Sequence, residues 1–125
     1  MNLDALRKHC ATLPGATRDV KWGADEVYSV GGRMFAVFLI ERGKAKTASF
    51  KCDPERFLEL TDQPGIVPAP YLARAHWVQL RDPKALTQDA AKELVSRSRA
   101  LVLARLPRSR QAEVSAGPAP TSPKA

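Results

Sequence analysis

The dipeptide Gly31-Gly32 separates two β-rich runs, "EVYSV" (26–30) and "RMFAVFLI" (33–40), and this arrangement leaves the chain few options. Glycine takes positive φ without a Cβ clash, which a two-residue hairpin turn requires of its central residues. The second run is apolar over much of both faces, the pattern of a central strand. "ERGKAK" (41–46) follows as a polar tip with Gly43 in its middle, and "TASFKC" (47–52) returns as a third strand. The stretch reads as an antiparallel meander.

Helices are expected on either side. Leu3, Leu6, Cys10 and Leu13 keep helical spacing over residues 3–12, with Asn2 as N-cap and Asp4 in the first turn. "LPG" (13–15) ends that helix. Asp53-Pro54 opens a short helix with Phe57, Leu58 and Leu60 on its apolar side, closed by Pro64-Gly65. The longest helix is expected at about 88–105, with Ala91, Leu94, Val95, Ser98, Leu101 and Val102 along one face. From Pro107 onward the composition changes. "SAGPAPTSPKA" has no apolar periodicity and three prolines, so 1–107 reads as one domain and 108–125 as a disordered tail.

A chain of 125 residues, 44% hydrophobic and 26% charged, has room for one self-sufficient core. The longest apolar run, "MFAVFLI", is far short of the ~20 residues that span a bilayer. The N-terminus lacks the basic-then-apolar order of a signal peptide, so a cytoplasmic location is expected. Cys10 and Cys52 form no C-x-x-C pair and are expected to be reduced thiols.

Twenty lysines and arginines against thirteen acids give +7. Between residues 92 and 110, Lys92, Arg97, Arg99, Arg105, Arg108 and Arg110 face only Glu93. Such an excess suits a polyanionic partner such as nucleic acid, or a solvated face kept for solubility. Arg42, Lys44 and Lys46 in the hairpin tip suit a wing that reaches a phosphate backbone, or lysine protection of a sheet edge.

Catalytic chemistry finds little support. Gly31-Gly32 lacks the spacing and the following helix of a phosphate loop. His9 and His76 stand far apart, no His/Cys/carboxylate cluster suggests a metal, and no nucleophile–base set can be assembled. No enzyme, metal or cofactor is expected. "VPAPYLARAHWVQL" (67–80) is the remaining unusual passage. Pro68 and Pro70 make its start a stiff extended connector into a strand near Ala75–Leu80. Alternation there puts His76, Val78 and Leu80 on one face and Ala75, Trp77 and Gln79 on the other. His76 reads as a buried, hydrogen-bonded residue or a ligand contact, and Trp77 as core or a stacking surface. Arg74 and Arg81 at the strand ends are candidate phosphate contacts or solvated charges.

"LPGATRDVKWG", "YSVGGRMFAVF", "PGIVPAPYLARAHWVQL" and "LVSRSRALVLARLP" together resemble the MmcQ/YjbR family of small bacterial proteins over residues 1–107. The resemblance implies an α+β fold: a CyaY-like two-layer sandwich with an antiparallel sheet against N- and C-terminal helices. It also implies DNA binding through a "double-wing" arrangement, with no catalytic residues. Iron binding, the other activity linked to this fold, uses an acidic first helix, whereas this one offers Asp4 among Arg7, Lys8 and His9.

The expectation is a monomer that binds duplex DNA, with Arg33, Arg42, Lys44, Lys46, Arg74 and Arg81 as phosphate contacts. The competing expectation is a protein-interaction or small-molecule module that uses Tyr71, His76 and Trp77.

Overall fold

The structure is a computed structural model that describes residues 1–116. Its elements run α1 (Leu3–Thr12), β1 (Ala16–Lys21), β2 (Asp25–Val30), β3 (Arg33–Glu41), β4 (Lys44–Lys51), α2 (Pro54–Thr61), β5 (Ile66–Pro68), β6 (Trp77–Leu80), α3 (Gln88–Ala104) and α4 (Arg108–Ala116). The six strands form one antiparallel sheet in the order β1-β2-β3-β4-β6-β5.

Local signals account for most boundaries. Asn2 Oδ1 accepts from the Ala5 amide at 2.9 Å, satisfying one of the free donors at the start of α1. Gly31 and Gly32 take φ of 58° and 83°, the left-handed pair a two-residue turn needs. Thr87 caps α3 through its hydroxyl. Asp53 stands at the N-cap of α2 but makes no capping bond, because its carboxylate pairs with both arms of Arg97 at 2.7 and 2.9 Å.

The core lies between one face of the sheet and the helices. Leu3, Leu6 and Cys10 of α1, Leu60 of α2, and Ala91, Leu94, Val95 and Val102 of α3 meet Tyr28, Val30, Ala36, Phe38, Phe50, Val78 and Leu80 of the sheet. Both cysteines are free and buried. Register shifts between Tyr28 and Ser29, so that Phe35 is an extra, bulged residue of β3 with no exposed surface.

Several sequence expectations are corrected here. "ATRDVK" forms the edge strand β1, which no apolar alternation announces because all but Ala16 is exposed. The "ERGKAK" tip is no loop: Arg42 and Gly43 alone make the turn, and Lys44 and Lys46 belong to β4. The start of "VPAPY" is extended as expected but also joins the sheet, since Val67 and Pro68, with Ile66 before them, pair as β5 with Gln79, Val78 and Leu80. β6 starts at Trp77 rather than Ala75, after a 3-10 turn at Ala73–Ala75 closed by His76 at φ 64°. His76 therefore does not share a strand face with Val78. Leu58 is exposed, so only Phe57 and Leu60 face inward from α2.

The expected disordered tail fails for residues 108–116, which form α4. Half-buried Val114 packs against Gly15, and Arg110 donates to the Gly31 carbonyl at 2.9 Å. The remainder of that tail, 117–125, lies outside the described residues.

Candidate functional site on the open sheet face

Helices cover one face of the sheet, and the other carries a groove of about 530 Å³. Strand alternation builds its floor. Register aligns Val37 with Ser49, Leu39 with Thr47, and Ser49 with Gln79, so these side chains share the face opposite Phe38 and Phe50. Met34 and Asp25 complete it, Trp22 rises from the β1–β2 turn, and Ala69, Pro70, Tyr71 and Leu72 fold over from the segment after β5. The apolar second face of β3 is thus half-exposed groove lining, not the inside of a double-covered strand.

Two aromatic residues stand out. Trp22 is 67% exposed and Tyr71 fully exposed, and both hold positive φ, 51° and 66°. A bulky residue in the left-handed region is uncommon and costs on the order of 1–3 kcal/mol. Both rims of the groove therefore carry backbone strain and uncovered rings.

The cations named from sequence fall into two groups. β3 runs two residues past the pairing of Asp25 with Leu39, so the β1–β2 and β3–β4 turns project from the same end of the sheet. Arg42, Lys44 and Lys46 are exposed at that end. Arg81 leaves β6 beyond the pairing of Leu80 with Ala48, toward the same end. Arg33 begins β3 at the opposite end, about 25 Å away at ~3.3 Å per residue. Arg74 precedes β6 and also lies at that far end.

The other set, Tyr71, His76 and Trp77, is not gathered into one site. Tyr71 lines the groove; the His76 ring packs edge-on against Phe57, centroids 5.7 Å apart. Trp77 is 5% exposed, with its amide donating to Leu72 and its carbonyl accepting from Ala69. Trp22 and Asp25 were missed by sequence reasoning. Their only signal was a tryptophan beside Gly23 in "KWG", and it needed a recognised β1 to become a hairpin tip.

Electrostatics sort the charged groups further. Glu26 is buried among Tyr28 Oη, Arg7 and Arg18, the two guanidiniums at 3.1 and 2.9 Å. Burial opposes its ionisation most strongly, yet the hydrogen bonds from Tyr28 and Arg18 and the charges of Arg7 and Arg18 hold its pKa below the ordinary value. Such a carboxylate, held ionised by three donors, is an anchor rather than an acid–base group. Burial pushes the Cys10 thiol far up and the Cys52 thiol up, which leaves both poor nucleophiles. Among the described residues no three His, Cys, Asp or Glu side chains gather as a metal-ligand group. No described helix is long and apolar enough to cross a membrane.

An antiparallel α+β sheet with helices on one face and a grooved, open second face defines the class of this protein. The chain belongs to the YjbR family, whose model matches residues 11–101. It is similar to Deinococcus radiodurans protein DR2400, a structure described as a DUF419 domain, with TM-score 0.78 and 25% identity over 96% of this chain and 92% of that one. It also shares its fold with a protein from Pseudomonas syringae, TM-score 0.65 and 20% identity, over 82% of this chain and 99% of that one. No curated protein matches.

Proposed function

We propose that this protein binds duplex DNA, without catalysis, through phosphate contacts at the end of the sheet that carries the β1–β2 and β3–β4 turns. The observation that supports this most is the different employment of its cations. Arg7, Arg18, Arg97 and Arg110 each pair with a carboxylate, and Arg99 donates to the Pro14 carbonyl. Arg42, Lys44 and Lys46 make no ion pair among the described residues, and all three project from one tight hairpin. Exposed Lys21 adds a cation beside the neighbouring turn. Two adjacent hairpin tips with unpaired charge suit a polyanion's backbone, which rewards position and charge over shape. The six-residue contact set contracts accordingly to Arg42, Lys44, Lys46 and Arg81, with Arg33 and Arg74 at the far end.

The test is a titration of arbitrary duplex DNA at several salt concentrations. Each phosphate contact contributes about −0.9 to the slope of log affinity against log salt. Lys44→Glu with Lys46→Glu is expected to flatten that slope by about two and to weaken all sequences alike. The melting temperature should stay the same, because exposed substitutions usually shift stability by no more than ~0.5 kcal/mol. Absence of binding at low salt, or a double variant that binds like wild type, overturns the reading.

A further inference from the structure

We propose that the groove on the open sheet face binds a compact organic cation with a flat apolar body, such as a protonated or quaternary aromatic amine. The site is distinct from the basic hairpin and does not depend on DNA binding. Its volume of about 530 Å³ suits a small molecule. Its walls are mainly apolar, from Met34, Val37, Leu39, Pro70 and Leu72.

Charge selects the occupant. Asp25 is the only charged residue lining the groove among the described residues, in a chain whose net charge is +7. Its carboxylate has no ion-pair or side-chain hydrogen-bond partner among them. Two cations share its face without pairing with it: Lys21 lies opposite Asp25 in the β1–β2 register and makes no ion pair among the described residues, and Arg81 donates to Gln79 Oε1 at 2.8 Å. A phosphate or carboxylate ligand would bring like charge against Asp25, whereas a cation supplies the missing partner.

The aromatics select the same class. Trp22 and Tyr71 are held in left-handed conformations that keep their rings at the rim, uncovered. Indole and phenol faces attract cations and stack on flat rings. One carboxylate and two exposed aromatic rings lining the same groove suit an ammonium whose charge is spread over an apolar body. Hydroxyls of Thr47 and Ser49 on the floor can accept from a ring N–H.

The probe is benzyltrimethylammonium, titrated by calorimetry and by amide chemical shifts, with benzoate as the charge-reversed control. Saturable binding of the cation is expected, with shifts at Trp22, Asp25 and Tyr71 and no saturable binding of benzoate. Asp25→Asn, which keeps shape and removes charge, should weaken the cation roughly fivefold, and Trp22→Ala by a similar factor. Asp25→Asn removes no cation and so should not flatten the salt slope for DNA, which keeps loss of cation binding distinguishable from loss of DNA binding. Absence of saturation by the cation, equal binding of benzoate, or an Asp25→Asn variant of wild-type affinity overturns the proposal. Should Trp22→Ala melt early, Asp25→Asn and Tyr71→Ala decide it.

Discussion

Ser98 on α3 donates its hydroxyl proton to the carbonyl of Phe35 on β3 at 2.7 Å, and the same oxygen accepts from the Lys51 amide of β4 at 2.9 Å. Phe35 is bulged out of the β2–β3 pairing, and the β3–β4 pairing ends one residue away, at Ala36 opposite Phe50, so the next rung, between Phe35 and Lys51, is not made directly. A helix side chain thus bridges β3 and β4 where their ladder stops.

Ser98→Ala should therefore cost about 1–3 kcal/mol, the penalty for leaving buried polar groups without partners. Urea unfolding checks it. Ser98→Thr keeps the hydroxyl but adds a methyl to a fully buried site, and it too should destabilise. A Ser98→Ala variant as stable as wild type would mean that water replaces the hydroxyl.

Acid should weaken the fold through Glu26. Burial disfavours its charge most, but Tyr28, Arg18 and Arg7 together outweigh that and hold its pKa below the ordinary 4.5. The folded state thus prefers the ionised form. Its contribution is complete above about pH 4.5 and disappears as pH falls through the lowered value. Asp53, held down chiefly by its hydrogen bonds from Arg97, adds to the same window. Urea midpoints from pH 7 to pH 3 should fall in acid. Glu26→Gln should cost about 1–3 kcal/mol at pH 7 and make the acid decline shallower without abolishing it.

The two tryptophans should separate in any measurement of exposure. Trp77→Ala is expected to cost ~3–5 kcal/mol, as for a buried aromatic truncation. Trp22→Ala should change stability by less than ~0.5 kcal/mol or raise it slightly, since the ring is exposed and its backbone strained. Acrylamide should quench Trp22 emission readily and Trp77 emission poorly. A Trp77→Ala cost below about 1 kcal/mol would contradict its burial.

Removal of residues 108–125 should lower the melting temperature. α4 supplies Val114 against Gly15, Arg110 on the Gly31 carbonyl, and Gln111, whose amide donates to Leu106 at 2.7 Å. These contacts together are worth about 1–2 kcal/mol, or several degrees for a domain of this size. An unchanged melting temperature would show that α4 does not dock.

Legibility followed how strongly burial disciplined each segment. The α3 stripe could be read because Ala91, Leu94, Val95, Ser98 and Val102 all face the core, and the serine in it marked the polar position at the bulge. The Gly31-Gly32 hairpin could be read because only positive φ closes such a turn. β1 could not, since an edge strand with five exposed residues carries no alternation. Both faces of β3 are apolar for different reasons, core on one and groove on the other, and sequence does not tell a covered face from an open one. Extrapolating β6 back through His76 failed because a single left-handed residue breaks strand periodicity. The hairpin cations were legible as charge, but their division between two ends of the sheet required the register.

The strand order leaves the sheet with two unlike borders. β5 presents three residues, and Pro68 among them has no amide to offer. β1 presents six, with Thr17 to Lys21 all exposed. An open-ended ribbon of molecules needs a competent border on each side, and this sheet has one. Any pairing through β1 would join two copies across a two-fold axis and leave no second border for a third, so the sheet offers no route to an open ribbon.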